Sequence, residues 1–303
     1  MRHLSSVLNK EAAMWKKSFK INDNKLAWFF LAPSIVGFAI FYAIPFVGGF
    51  YYSLVSSPFS GEFVGLQNYI ELMKNPSFLK AVTNTAIFTS LSVPLNIILS
   101  LGLAILLNKR IYGRSIFRTL FITPLVVPVA SIILVWLSMF DINGALNALI
   151  TALGQNPVDW MKTDWARVTV VIVYLWKNIG YSMVLFLAGL QNIPVEYYEA
   201  AQIDGASIWK QFTNITMVYL TPTAFFVFIM SIINSFKVFR EAYLISGDYP
   251  HSSIYMLQHY MNNMFAQLDY QKLTSAAFVM AVFIVLIVFT LFVIERKINR
   301  VIN

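Results

Sequence analysis

Four ionisable side chains fall inside long apolar stretches of this 303-residue chain: Lys177, Lys237, Arg240 and Glu241. Charge surrounded by hydrocarbon is costly enough that each needs a partner or a task. Tyr174, Lys177, Asn178 and Tyr181 have the i, i+3, i+4, i+7 spacing of one helix face. That face joins a cation and an amide to two rings. Asn234, Lys237, Arg240 and Glu241 recur at helical-neighbour spacings, and Thr89, Ser92, Asn96 and Ser100 give an earlier stretch a polar face. Rings stack on polyol rings, amides bond hydroxyls, and cations in a water-lined space attract carboxylate or sulfate. The residues expected to line a solute pathway are Tyr174, Lys177, Asn178, Tyr181, Asn234, Lys237, Arg240 and Asn96, and the solute expected is anionic. A purely structural use of the cations is also readable: Lys237 pairing with Glu241, Arg240 snorkelling to headgroups, and Lys177 bonding carbonyls of a neighbouring helix.

Other chemistries are poorly served. Cysteine is absent, and the three histidines form no H-E-x-x-H pattern, so no metal site is expected. There is no paired-carboxylate constellation and no Gly-x-Ser-x-Gly elbow, and no glycine is followed by lysine, which excludes a Gly-x-x-x-x-Gly-Lys-Ser/Thr phosphate loop. The chain is therefore not expected to be an enzyme or to bind a cofactor.

The elements that must position these side chains are membrane helices. Hydrophobic residues make up 58% of the chain and charged ones 12%, about half the usual share, and the mean hydropathy is +0.66. Too few charges remain to cover a water-soluble surface. Six apolar stretches, at about 26–54, 82–107, 119–140, 168–191, 222–245 and 274–294, are each long enough to cross roughly 30 Å of hydrocarbon. Lipid leaves no partner for free backbone groups, and period-2 alternation is not seen, so the fold class is all-α, an integral membrane protein of six transmembrane helices. At about 1.5 Å per residue, Lys177 lies roughly 13 Å into the fourth stretch, near the middle of the bilayer.

With the N-terminus inside, fourteen Lys and Arg fall in inner segments and five in outer ones, so both termini are expected in the cytoplasm. Residues 1–25 read as an uncleaved cytoplasmic tail and 295–303 as a second tail. The formal charge of +8 then reads as anchoring to inner-leaflet membrane lipid, with no nucleic acid implied. The outer connections at 61–81 and 143–165 carry apolar residues in the manner of short amphipathic helices lying on the membrane face.

The inner connection at 191–221 is long and nearly free of basic residues. Pro194 suits a first helical position, Gly205 breaks the helix that follows, and Ser207 can cap a second one with Ile208, Phe212 and Ile215 on one stripe. Two short helices meeting at a glycine elbow make a knob whose apolar stripe wants a groove on another protein.

Glu199-Ala200-Ala201, three residues, Gly205, nine residues and then Ile215 resembles the EAA signature of binding-protein-dependent ABC importer permeases. Where that signature continues as Leu-Pro, Met217 and Val218 stand here, and Pro222 follows. Leu31-Ala32-Pro33, Phe63-Val64-Gly65-Leu66-Gln67-Asn68-Tyr69 with Asn84-Thr85, and Phe186 through Pro194 are similar to the carbohydrate branch, the MalF-like and UgpA-like permeases. The resemblance implies a type I importer fold: a first helix and outer loop over 26–82, and a transmembrane core over 83–294. It also implies a second homologous permease subunit, two ATP-binding subunits that use ATP and Mg, and an extracellular solute-binding protein. Glu199, Ala200, Ala201, Gly205 and Ile215 would then couple ATP hydrolysis to transport of a sugar, and a uronate- or sulfate-bearing one would answer the cations. An ion-coupled secondary transporter of small solutes is the other reading, but Glu241 alone makes a poor carboxylate relay.

Overall fold

A computed structural model describes residues 23–57, 61–109 and 111–302, so most of the predicted N-terminal tail lies outside the described residues. The described chain is helical, apart from one antiparallel bridge between Val55 and Phe63. Six segments are long and apolar enough to cross a membrane: Ala27–Tyr52, Pro76–Asn108, Val129–Ala152, Trp165–Gln191, Ile208–Ser246 and Tyr270–Arg296.

The first segment comprises α1 (Asp23–Phe38) and α2 (Ile44–Tyr52), joined by a π-helical turn at Ala39–Ala43. Pro45 lacks the N–H that would bond Phe41, so a widened turn is a natural local answer. The short α3 (Gln67–Lys74) follows in the predicted 61–81 connection. Asn68 donates to the carbonyls of Ser53 (3.0 Å) and Val55 (2.9 Å), and the Tyr69 hydroxyl meets Ser53 Oγ at 2.7 Å. These bonds fix α3 against the end of α2.

The second span is longer than its apolar core. α4 runs Pro76–Asn108, with Pro76 in its first turn and the Asn75 side chain accepting from the amides of Ser77 and Phe78. The third predicted span is not one helix. α5 (Arg114–Val126) and α6 (Val129–Phe140) are separated at Val127 and Pro128, because a proline forces the residue before it out of helical geometry. α7 (Ala145–Ala152) falls in the connection expected at 143–165, but it lies within the third apolar segment, Val129–Ala152, which starts and ends about ten residues later than the predicted 119–140.

α8 (Trp165–Gln191) is the central helix, packed along α4, α5 and α11 (Met217–Phe236). Gly180 lets the α5 backbone come close: a β-carbon there would lie 1.7 Å from the carbonyl oxygen of Phe121. Asn96, wholly buried on α4, donates to Ser182 on α8 and Ser231 on α11, each at 2.9 Å, and so ties three helices at one level. Between α8 and α11 lie α9 (Val195–Ile203) and α10 (Ile208–Gln211), followed by a π-helical turn at Phe212–Thr216.

The fifth predicted span is interrupted. α11 ends at Phe236, two i→i−3 bonds tighten the chain at Lys237 and Val238, and α12 (Phe239–Ser246) continues. A strap then leads to α13 (Leu257–Ala266) and the final α14 (Tyr270–Ile302), on which Phe46 and Phe50 rest through Phe278. Asn84 and Thr85 hold the strap. Asn84 donates to the carbonyls of Ser252 (2.7 Å) and Tyr255 (3.0 Å), Arg167 donates to Asn84 Oδ1 and Ser253 O, and Thr85 Oγ1 accepts from the Leu257 amide.

Candidate functional site

α8, the interrupted α11–α12 helix and α13 enclose a cavity of about 750 Å³, a size ordinary for binding sites. Tyr174, Lys177 and Asn178 reach it from α8, Asn234 from α11, Lys237 and Arg240 from the tightened turn and α12. Six of the eight residues expected on the solute pathway thus share one space. Asn96 does not line it, being committed to the three-helix tie, and Tyr181 is not among its lining residues either.

The pairings inside the cavity differ from the sequence expectation. Lys177 does not bond backbone carbonyls, and Lys237 does not pair with Glu241. Instead Lys177 on α8 donates to Glu241 on α12, whose side chain is only 6% exposed. A buried carboxylate needs such a partner, and the tightened turn removes the helical register that would have brought Lys237 to it. Lys237 and Arg240 are exposed and make no ion pair among the described residues. The lining therefore holds three cations and one carboxylate. Asn234 donates to Asn178 Oδ1 at 3.1 Å, and Asn178 donates to the Tyr174 carbonyl at 2.8 Å. The Tyr174 ring is buried edge-on to Phe88 with its hydroxyl on Ser231 O, so it packs the wall and offers no stacking face.

One wall was missed from sequence. Gln258, Met261, Asn262 and Phe265 of α13 line the same cavity. The run from 257 to 266 is too short and too polar for a span, and only the alternation of buried Leu257, Tyr260 and Asn263 with cavity-facing residues signals a helix with two occupied sides.

The knob lies at the opposite end of α11, twenty residues and about 30 Å away. Pro194 precedes the first helix as its N-cap, one position earlier than expected. Gly205 has φ +72°, with no atom within 4 Å of the place a β-carbon would take, and Ser207 Oγ accepts from the Lys210 amide. Glu199 and Ala200 are exposed and Ala201 half-buried. Ile215 faces inward, against a cluster with Leu107, Leu190, Ile193 and Tyr198, so it anchors the knob and does not belong to its outer stripe. The outward apolar residues are Ile203 (87% exposed), Ile208 (86%) and Trp209 (70%).

Among the described residues no group of His, Cys, Asp and Glu is arranged to hold a metal ion. Residues 70–302 match the family described as binding-protein-dependent transport system inner membrane component. The chain is 34% identical over 236 residues to the trehalose/maltose transport system permease protein MalF of Thermococcus litoralis, covering 76% of this chain and 80% of that one. It is 33% identical over 261 residues to the lactose transport system permease protein LacF of Rhizobium radiobacter, covering 82% and 85%. A chain of a bacterial ABC transporter involved in the import of the acidic polysaccharide alginate superposes with a TM-score of 0.80 at 22% identity, covering 94% of this chain and 99% of that one, which shows a shared fold. With a matched region of this extent and six candidate membrane spans among the described residues, the chain belongs to the binding-protein-dependent ABC transport permeases, multi-pass subunits of the inner membrane.

Proposed function

We propose that this permease forms the solute path of an ATP-driven importer of oligosaccharides that carry acidic groups. The observation that carries this reading is the presence of two cations, Lys237 and Arg240, without an ion-pair partner among the described residues, in a cavity whose amides, Asn178, Asn234 and Asn262, suit hydroxyls. Two relatives named for trehalose/maltose and lactose transport support a saccharide. Net positive charge in a water-lined cavity attracts a carboxylate or sulfate and gives little to a neutral ring.

The knob completes the scheme. The basic residues are concentrated in connections on the knob side, which supports placing it in the cytoplasm with both termini, the cavity lying toward the opposite face. Ile203, Ile208 and Trp209 form the apolar face that docks into a groove of an ATP-hydrolysing subunit, beside Glu199, Ala200 and Gly205. Two such subunits, a second homologous permease and an extracellular solute-binding protein make up the complex, and ATP and Mg are used by the ATPase subunits.

The test is uptake by the assembled transporter carrying Lys237→Met, Arg240→Gln or both, with Lys177→Met as a comparison. Uptake of an acidic oligosaccharide falls about tenfold or more in the double variant, the loss expected for hydrogen bonds to charged groups, while a neutral sugar of similar size is less affected. Undiminished uptake of the acidic sugar removes the anionic cargo and leaves the permease assignment standing.

A further inference from the structure

Among the described residues Glu241 is the single carboxylate lining the cavity, and its choice of partner is informative. Lys237 stands four residues before it, a spacing at which lysine and glutamate meet on a continuous helix, yet Glu241 reaches across to α8 for Lys177. Only half of the carboxylate is engaged. Oε1 accepts from Lys177, whereas Oε2 bonds no described residue and is not sealed away from the cavity. An ammonium carries three donors, and Lys177, one quarter exposed, uses one of them. A spare acceptor and two spare donors thus stand side by side on the cavity wall, carried by a pair with no net charge.

We propose that the Lys177–Glu241 pair is the hydroxyl-reading element of the site, with Glu241 a specificity-determining residue. Lys177 donates to one oxygen of the sugar, Glu241 Oε2 accepts from a neighbouring hydroxyl, and the acidic group of the cargo is held apart from Glu241 by Lys237 and Arg240. This rests on the saccharide reading above. The chemistry follows from the charges. A carboxylate repels a second carboxylate or sulfate, so the cargo's acidic group does not settle beside Glu241, and hydrogen bonds to ionised partners are about twice as strong as those between neutral groups. Sites built to bond a hydroxyl also reject analogues that lack it far more strongly than apolar pockets do. Glu241 therefore sets which polyol is accepted, and the free cations set that it is acidic.

The experiment measures uptake of an acidic oligosaccharide and of its monodeoxy analogues, each lacking one hydroxyl, by the complete transporter containing wild-type chain, Glu241→Gln or Glu241→Asp. The wild-type transporter discriminates against one of the analogues, and Glu241→Gln, which loses the ionised acceptor, lowers that discrimination about tenfold. Glu241→Asp keeps the charge and retains the same preferred hydroxyl. Equal loss of uptake for the parent and every analogue in Glu241→Gln is the result of a purely structural role, and it overturns the inference. If Glu241→Gln does not assemble, the exchanged pair Lys177→Glu with Glu241→Lys is measured in its place: a changed order of preference among the analogues supports the inference, and the wild-type order overturns it. A wild-type transporter that takes none of these compounds defeats the saccharide reading itself, a separate outcome.

Discussion

Among the described residues outside the spans, His259 gives the fold an acid-side pH dependence. It is wholly buried on α13, between the rings of Phe239 and Tyr255, and its Nδ1 accepts from the Met256 amide, while Nε2 makes no hydrogen bond. Burial pushes its pKa down to about 4, and the charge of Asp248 offsets this only in part. The unfolded chain then binds more protons than the folded one between about pH 6.5 and 4, so the stability that His259 contributes is fully present above pH 6.5 and is lost as the pH falls toward 4. At about pH 5.5 the loss is on the order of 1 kcal/mol. Thermal unfolding of the purified transporter at several pH values checks it. His259→Gln, which keeps an acceptor for the Met256 amide without a titrating ring, should flatten the acid limb. Because α13 is one wall of the cavity, acid should loosen that wall first.

Among the elements, the knob depends on Gly205. Its φ of +72° is a region that side chains with a β-carbon enter at a cost, although no atom stands within 4 Å to crowd a new side chain. The penalty of substitution is therefore backbone strain. Asp, which tolerates this conformation better than most residues, should be a milder change than a β-branched residue. Gly205→Val is expected to cost about 1–2 kcal/mol locally and to open the elbow between α9 and α10, with binding-protein-stimulated ATP hydrolysis falling severalfold. Gly205→Asp should retain more of it. ATPase and uptake assays on the two variants at matched expression decide this, and wild-type stimulation in Gly205→Val would separate the elbow from coupling. The inward packing of Ile215 and the 2.8 Å contact of Tyr198 with Thr216 fasten the knob to the helices packed beneath it.

For the whole molecule, α11 links two surfaces that look incomplete in one chain. At one end Ile203, Ile208 and Trp209 are exposed, and at the other the cavity presents Lys237 and Arg240, which make no ion pair among the described residues. With no phosphate loop in its sequence, the chain purified by itself should hydrolyse no ATP. Co-expressed with a sister permease and two ATPase subunits it should yield a stable complex, and cargo-loaded binding protein should then stimulate hydrolysis. Size-exclusion chromatography followed by a phosphate-release assay measures both. Hydrolysis by the chain alone would contradict this division of labour.

Composition and block length sufficed for the all-helical, six-span class, because lipid leaves the backbone no alternative to helices in stretches of this length. Gly205 and Ser207 located the knob, since a positive φ and a capping serine are local demands that local residues answer. Of the helical face Tyr174, Lys177, Asn178 and Tyr181, the first three line the cavity and Tyr181 does not. What the sequence could not decide was who pairs with whom. Glu241 lies four residues from Lys237 and sixty-four from Lys177, and only the tightening of the chain at Lys237–Val238, together with the packing of α8 beside α12, makes the distant lysine the nearer one. The same holds for Asn96, which polarity alone cannot tell from a pathway residue until Ser182 and Ser231 arrive from two other helices, and for α13, whose second face becomes a cavity wall only when the strap is held by Asn84, Thr85 and Arg167. Local propensity is written in neighbours along the chain, whereas charge pairing and cavity walls depend on which helices meet.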